Sequence, residues 1–126
     1  MSRRPVATDE APAAIGTYSQ AVEVDGMVFL SGQIPLHPAT MEMEEGDMRA
    51  QVERVLDNLQ AVARASGGDL DRIVKLTVYL TDLGDFGTVN EVMADRFSEP
   101  YPARAAVQVA ALPKGARVEI DAILRL

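Results

Sequence analysis

Arg104 and Glu119 are the two residues whose types and spacing could do chemistry in this sequence of 126 residues. A guanidinium can donate two parallel hydrogen bonds to a carboxylate, and a glutamate can hold a water or exchange a proton. Arg104 precedes Leu112 by eight residues and Glu119 follows it by seven. If the flanking segments pair as a β-hairpin that turns at Leu112, the two side chains come within about one register step of each other and could share a site.

The same pair could be only an ion pair at the edge of a strand, and exposed pairs of that kind contribute little to stability. Spacing alone favours this simpler interpretation. The neighbours of Arg104 favour a site, because residues 100–103 (Pro-Tyr-Pro-Ala) stiffen the backbone and because Ala105 and Ala106 leave space beside the arginine. An arginine next to a vacancy suits a planar carboxylate ligand.

Four further residues are candidates, although each has an ordinary structural interpretation. Tyr18 and Ser31 would be core or turn residues in isolation. Gly32 follows an apolar run, and a glycine there marks the close approach of another backbone or of a ligand. Asn90 lies in a predicted helix, where asparagine is a mediocre choice, so its amide is either exposed or reaches a ligand or a neighbouring subunit.

The composition disfavours or excludes several classes of function. A net charge of −7 opposes binding to phosphate backbones, so no nucleic-acid partner is expected. The absence of cysteine removes disulfides, thiol nucleophiles and cysteine-type zinc sites, and a single histidine, His37, rules out the usual multi-histidine metal sites. No apolar run approaches the length of a membrane helix and no signal peptide is recognisable, which predicts a cytoplasmic protein without a membrane partner.

The pattern of apolar residues predicts the elements that must position these side chains. Strands are expected at residues 18–24, 27–31 and 73–80, and the first two are joined by Asp25-Gly26, a strong signal for a type I′ turn. Apolar residues recur every three or four positions over 47–66 and 83–97, which predicts two helices. The segments around Arg104 and Glu119 supply the last two strands.

The expected fold is therefore a single α+β domain over residues 1–126, with residues 1–12 as a loosely held N-terminal arm. It is a two-layer sandwich in which a mixed sheet of about six strands carries two helices on one face. The other sheet face would expose apolar side chains such as Met27 and Phe29 or their neighbours. Because a monomer rarely tolerates such a surface, we expect a homo-oligomer that packs sheet against sheet.

Five motifs in order resemble the RidA family, also called the YjgF family, of enamine/imine deaminases. The resemblance covers residues 11–124, and its motifs are Ala14-Ile15-Gly16-Thr17-Tyr18-Ser19-Gln20-Ala21, Ser31-Gly32-Gln33-Ile34-Pro35, Val89-Asn90-Glu91, Pro102-Ala103-Arg104 and residues 112–120 (LPKGARVEI). It implies a chorismate-mutase-like homotrimer with sites between subunits. It also implies hydrolysis of 2-enamine and 2-imine acids, such as 2-aminoacrylate and 2-iminobutanoate, to 2-oxo acids and ammonia, without a cofactor or metal.

In that family these intermediates are released by pyridoxal-phosphate enzymes, which the deaminase protects from damage. By resemblance, Arg104 binds the substrate carboxylate and Glu119 positions the attacking water and shuttles the proton. Ser31 and Gly32 line the pocket, Tyr18 and Asn90 complete it, and Ala106 contributes backbone contacts. Some of these residues come from the adjacent subunit.

The chain departs from many members at three places. Thr17 replaces a proline, the segment 98–101 is shorter than in some members, and Ala105-Ala106 stand where many have a polar residue and then cysteine or threonine. A thiol-dependent activity is therefore not expected. Two alternatives stay open: a non-catalytic, chaperone-like trimer that binds small carboxylates, and a ribonuclease, which the acidic charge and the missing basic groove disfavour.

Overall fold

The computed structural model describes residues 2–126, and Met1, the first residue of the predicted arm, lies outside the described residues. Six strands form one mixed sheet in the order β1-β2-β3-β6-β4-β5. The strands are β1 (Arg4–Val6), β2 (Ala21–Val24), β3 (Met27–Gln33), β4 (Ile73–Leu80), β5 (Ala103–Gln108) and β6 (Val118–Arg125), and the helices are α1 (Met48–Ala65) and α2 (Phe86–Arg96). The predicted α+β fold with six strands and two helices is confirmed.

Helix α1 forms where the sequence predicts it, because an apolar stripe and two end signals agree. Val52, Leu56 and Leu59 are fully buried against the sheet. Asp47 caps the first turn, with its Oδ1 accepting a hydrogen bond from the Ala50 amide at 2.9 Å. Gly67 follows the helix with a φ of +103°, a left-handed conformation that glycine adopts without strain. Among residues 2–126, no helix combines the length and apolar character needed to cross a membrane.

The predicted hairpin between β5 and β6 is wrong, because β4 lies between these two strands. Strand β5 pairs parallel with β4, and β6 pairs antiparallel with β4 and β3. The physical reason is the intervening helix: α2 carries the chain back across the sheet, so β4, α2 and β5 form a parallel crossover unit. A turn-like connector after β5 does not make a hairpin when the next strand enters the middle of the sheet.

The N-terminal segment is not a loosely held arm. Residues Arg4–Val6 form β1, which pairs antiparallel with β2, and Val6 and Ala11 are buried. The side chain of Gln20 holds the segment that follows: its Nε2 donates to the carbonyls of Thr8 and Pro12 at 3.0 and 2.8 Å, and its Oε1 accepts from the Thr8 amide at 2.7 Å. A buried glutamine thus replaces the strand pairing that this loop lacks.

We expect Gln20→Ala to lower the free energy of unfolding by about 2 kcal/mol, because it leaves buried backbone groups without partners. Denaturant titration at one fixed protein concentration measures the change, since association would otherwise shift the midpoint. Gln108→Ala is the matched control, because Gln108 is exposed and accepts a single hydrogen bond from the Leu83 amide. If Gln20→Ala and Gln108→Ala lose the same free energy of unfolding, the Gln20 side chain does not hold the N-terminal segment.

The sheet face away from the helices stays open in the single chain. On β6, buried Val118, Ile120 and Ala122 face the helices and alternate with partly exposed residues on the other side. Large apolar side chains lie on this second side, including Phe29, which is 46% exposed, and Val107, which is 43% exposed. The sequence left open whether Met27 and Phe29 or their neighbours face away from the helices, and the structure places Phe29 on the uncovered face.

Candidate functional site

The seven residues predicted to form a site fall into two groups within one chain. Tyr18, Ser31 and Gly32 lie with Glu119 around one cleft, which we call the glutamate half-site. Asn90 and Ala106 lie with Arg104 beside α2, and we call this group the arginine half-site. One copy of the chain does not bring the two half-sites together.

The sheet topology explains the separation of Arg104 from Glu119. Arg104 on β5 pairs with Leu76 on β4, whose buried side chain faces the helices, and Arg104 accordingly contacts α2. Glu119 on β6 pairs with Tyr79, three residues further along β4, and its side chain lies on the open face. The two strands are separated by β4 and therefore lie about 10 Å apart. The two side chains also leave the sheet on opposite faces.

A bulge in β3 builds the floor of the glutamate half-site. The pairing of β3 with β6 shifts register between Leu30 and Gln33. Both of these residues are buried although they are three positions apart, so Ser31 and Gly32 lie together off the helix-covered face. Ser31 is fixed there, because its Oγ donates to the Ser19 carbonyl at 2.6 Å and its amide donates to the Gln20 carbonyl at 3.0 Å.

Gly32 is the residue that the Glu119 side chain requires at this position. A Cβ placed on Gly32 would lie 2.9 Å from the Glu119 Cδ and closer still to its Oε2. Real Cβ atoms do not approach heavy atoms so closely, so the carboxylate lies directly over the glycine backbone. The glycine after the apolar run predicts the close approach of another backbone or of a ligand, whereas the group that approaches in the structure is the Glu119 side chain.

Glu119 is the ionisable group of the cleft with a shifted pKa. Burial raises the pKa of the Glu119 carboxyl, and the negative charge of Asp121 raises it further. Within residues 2–126, no hydrogen-bond donor or cation pairs with this carboxylate to offset these two effects. A partly buried carboxylate that holds its proton more readily than usual is suited to exchanging protons with a bound molecule.

The cleft over Glu119 has a volume of about 450 Å³, which is enough for a small organic acid and several waters. Its walls are mainly apolar, and the polar groups come from a few positions. The lining residues include Pro12, Ile15, Tyr18, Ile34, Pro113 and Lys114. The Gln20 contacts described above fix the Pro12 wall, so the N-terminal segment is part of the site.

Helix α2 fixes the arginine half-site. Phe86 and Asn90 are one helical turn apart and therefore share a face of α2. The Arg104 guanidinium lies over the Phe86 ring, 4.8 Å from its centroid, and its Nη1 donates to the Asn90 Oδ1 at 2.9 Å. These contacts orient the guanidinium. Among residues 2–126 no hydrogen-bond partner engages its Nε or Nη2, so both can bind a carboxylate.

Arg104 differs from most arginines of this chain in its partners. Arg96 pairs with Glu53 and Asp57 at 2.9 Å each, and Arg117 pairs with Asp85 at 3.1 Å. Among residues 2–126, no carboxylate lies within ion-pair distance of Arg104. An arginine that is held by neutral groups in a chain of net charge −7 keeps its charge available for an anionic ligand.

Space for a ligand lies on both sides of the Arg104 guanidinium. A groove of about 450 Å³ is lined by Leu83, Phe86, Arg104 and Ala106, and the small Ala106 side chain leaves it open. A second cleft of about 410 Å³ lies between Arg104, Asn90 and the exposed Tyr101. Ala106 is packed partly against the core, whereas Ala105, which the sequence also indicated as vacant space, lies on the opposite face of β5.

Sequence reasoning missed Phe86, Gln20 and Lys114. The apolar spacing of residues 83–97 indicates only that Phe86 belongs to the buried stripe of α2, although its spacing of four from Asn90 is a usable signal of a shared helix face. Gln20 lies inside a quoted motif but has no chemistry of its own. Lys114 lies at the rim of the glutamate half-site with a φ of +57°, a conformation that only the folded loop reveals. Among the residues that the structure describes, no three His, Asp or Glu side chains could hold a metal ion.

Taken together, the geometry offers a cation oriented for a carboxylate and, at a separate position, a carboxylate with a raised pKa beside a cleft. Neither has a charged partner in the described part of its own chain. Because each half-site reaches the surface, a second copy of the chain could place the arginine half-site of one subunit against the glutamate half-site of the next.

Comparison with known proteins finds one matching family and many similar proteins and solved structures. The family described as endoribonuclease L-PSP matches residues 8–125. Protein DfrA from Myxococcus xanthus is 61% identical, covering 98% of this chain and 95% of that protein. The mouse 2-iminobutanoate/2-iminopropanoate deaminase is 49% identical, covering 96% of this chain and 90% of that protein. The crystal structure of RidA from a Psychrobacter species is 56% identical, with a TM-score of 0.94 over 98% of this chain and 99% of that chain.

Proposed function

This chain belongs to the RidA (YjgF) family, and from that premise we propose that it is a hydrolytic deaminase of small 2-imino carboxylic acids. Its substrates would be 2-iminobutanoate and the imine tautomer of 2-aminoacrylate, and its products 2-oxo acids and ammonia. The name of the mouse relative supports this substrate class. Removing these reactive species would protect the pyridoxal-phosphate enzymes that release them.

Arg104 gives the main support for this proposal. It is the arginine that Phe86 and Asn90 orient and that no described carboxylate neutralises. A 2-imino acid carries one carboxylate next to its reacting carbon. Binding that carboxylate at Arg104 would therefore fix the reacting carbon at a short, constant distance from the guanidinium, which is the proximity that a reaction without a protein nucleophile needs.

We further propose that the working site is composite, in a homotrimer. The opposite orientations of Arg104 and Glu119 within one chain support a site in which a second copy supplies one of them. The exposed Phe29 and Val107 side chains on the open sheet face support association through that face. Sedimentation or light scattering should then give three times the mass of the chain.

The proposed chemistry uses one water and the Glu119 carboxylate. Glu119 accepts a proton as the water oxygen bonds to C2 of the protonated imine, whose C=N π electrons move to nitrogen. The protonated Glu119 then donates that proton to the amine nitrogen of the resulting carbinolamine. The C–N bond breaks with its electrons leaving on ammonia, and the hydroxyl group gives its proton to solvent water, which leaves the 2-oxo acid and the Glu119 carboxylate as at the start.

A coupled assay tests the activity. A threonine dehydratase generates 2-iminobutanoate, and the release of 2-oxobutanoate is followed with and without this protein. Acceleration that scales with the protein concentration is expected. If the rate stays that of the spontaneous hydrolysis, the deaminase proposal is wrong.

Titration with 2-oxobutanoate tests the alternative function in the same samples. Binding that depends on Arg104 without any acceleration would support a non-catalytic carboxylate-binding protein. The family description names an endoribonuclease, but the net charge of −7 opposes binding of a polyanion, so we do not propose that activity here.

Gly32→Ala should lower kcat for 2-iminobutanoate by about 10- to 100-fold. The new Cβ would occupy the place of the Glu119 carboxylate and push that group away from its position in the cleft. The displaced atoms are the end of a flexible side chain, so the thermal midpoint should change little. Steady-state kinetics and thermal unfolding measure the two effects.

Gly87→Ala is the matched control for this prediction. A Cβ on Gly87 would meet nothing within 4 Å, and the residue lies in helix α2, where alanine is favoured. This variant should keep the wild-type kcat. A Gly32→Ala enzyme as active as Gly87→Ala would show that the position of the Glu119 carboxylate is not critical.

A further inference from the structure

Two more ionisable side chains lie beside Glu119 on the open face of the sheet. Tyr79 on β4 is the direct partner of Glu119 in the strand register, and Asp121 lies two residues further along β6 on the same side. The Tyr79 hydroxyl donates a hydrogen bond to the Asp121 Oδ2 at 3.0 Å. The phenol thus crosses from one strand to the next and holds the Asp121 carboxylate in place next to Glu119.

We propose that Tyr79 and Asp121 are positioning residues that act through Glu119: the phenol fixes the Asp121 carboxylate beside Glu119 and so sets how readily Glu119 takes and releases its proton. The benefit of this arrangement rests on the deaminase function proposed above. In that reaction one carboxylate accepts a proton and returns it within a turnover. A carboxylate whose pKa is closer to neutral pH can do both.

The electrostatics of the three groups agree with this assignment. Burial and the charge of Asp121 raise the pKa of Glu119. Burial and the hydrogen bond to Asp121 raise the pKa of Tyr79, so the phenol keeps its proton and remains a donor. Asp121 thus supplies the neighbouring negative charge, while Glu119 receives the proton.

Other charged groups around Glu119 do not duplicate this role. Arg117 directly precedes β6, and its guanidinium is engaged by Asp85 at 3.1 Å. On β4, Tyr79 pairs with Glu119 and Thr77 pairs with Asp121. Lys75 lies two residues before Thr77 and is therefore further from Glu119 than Asp121 is. At the cleft, the remaining titratable groups are the Tyr18 phenol and the Lys114 ammonium. In the proposed trimer, Arg104 of a neighbouring copy would also approach, and its positive charge would oppose Asp121.

The test is the titration of Glu119 in three variants, read by carbon-13 NMR of its side-chain carboxyl and by the pH dependence of kcat/KM. Asp121→Asn removes the charge with little change of shape and should move the Glu119 titration and the acid limb of the profile to lower pH by about 0.5–1 unit. Tyr79→Phe should move the Glu119 titration and the acid limb in the same direction, by a smaller shift than Asp121→Asn. The double variant should match Asp121→Asn alone, because Tyr79 acts through Asp121.

Asp71→Asn is the control for the loss of one negative charge. Asp71 lies beyond the start of β4, at the opposite end of that strand from Tyr79, and its variant should leave the titration unchanged. The proposal is overturned if Asp121→Asn behaves like Asp71→Asn, or if the shifts of the two single variants add in the double variant. Because the NMR titration needs no turnover, a chain without deaminase activity that still shows these shifts would refute the proposed reaction and leave this inference intact.

Discussion

Arg104→Ala should lower kcat/KM for 2-iminobutanoate by about 30- to 1000-fold, which corresponds to roughly 2–4 kcal/mol of lost binding to the carboxylate. The loss should be largest in KM, since the carboxylate is bound in the ground state as well as in the transition state. Steady-state kinetics with dehydratase-generated imine give both constants. Titration with 2-oxobutanoate should show the same weakening without any chemistry.

Two variants sharpen this prediction. Arg104→Lys keeps the positive charge but loses the planar fork and the stacking over Phe86, so its activity should lie between those of Arg104→Ala and wild type. Arg72→Ala removes an exposed arginine elsewhere in the chain and should behave as wild type. If Arg104→Ala keeps the wild-type KM, Arg104 does not bind the substrate.

Glu119→Gln should lower kcat by about 100-fold or more, because the amide cannot accept the proton of the attacking water. The KM should change little, since the carboxylate-binding arginine is untouched. In the wild type, activity should rise with pH as Glu119 loses its proton, and the raised pKa places this rise above the range of an ordinary glutamate. Glu119→Gln should remove that rise and leave only the titration of the substrate.

Mixing these two impaired variants, assayed at a substrate concentration well below the KM of Arg104→Ala, tests whether the site is composite. If each site takes Arg104 from one copy and Glu119 from the next, a trimer refolded from equal amounts of Arg104→Ala and Glu119→Gln chains should have both residues intact in roughly a quarter of its sites. A mixture of wild type with the double variant gives the same fraction and is the reference. No recovery in the first mixture would place both residues in a site within one chain.

The sequence predicted the elements of the fold better than their arrangement. Strand β4 and helix α1 appear almost as predicted, because their apolar spacing and end signals are local properties of the chain. The β5–β6 hairpin failed because pairing is not local: the connector from 109 to 117 has the residues of a turn, but its strands flank β4. The strand–helix–strand order from β4 to β5 was the available signal, since such units pair in parallel.

The candidate site shows the same limit. The residue types of Arg104 and Glu119 indicate a carboxylate-binding cation and a proton-exchanging carboxylate, which stay predictions. Gly32 indicated a close approach, although the approaching group is a side chain and not a backbone or a ligand. What the sequence could not provide was the face on which each side chain leaves the sheet. That depends on the position of β6 between β3 and β4 and on the bulge at Ser31, both of which are properties of strand pairing across distant parts of the chain.

The central place of β6 has a consequence for biosynthesis. Strand β6 follows the other five strands in the chain and joins β1-β2-β3 to β4-β5, so a nascent chain holds two separate pieces of sheet until β6 leaves the ribosome. The same strand carries Glu119. A translation product that stops before β6 therefore lacks both a closed core and the carboxylate proposed to do the chemistry, and it stays open to proteases.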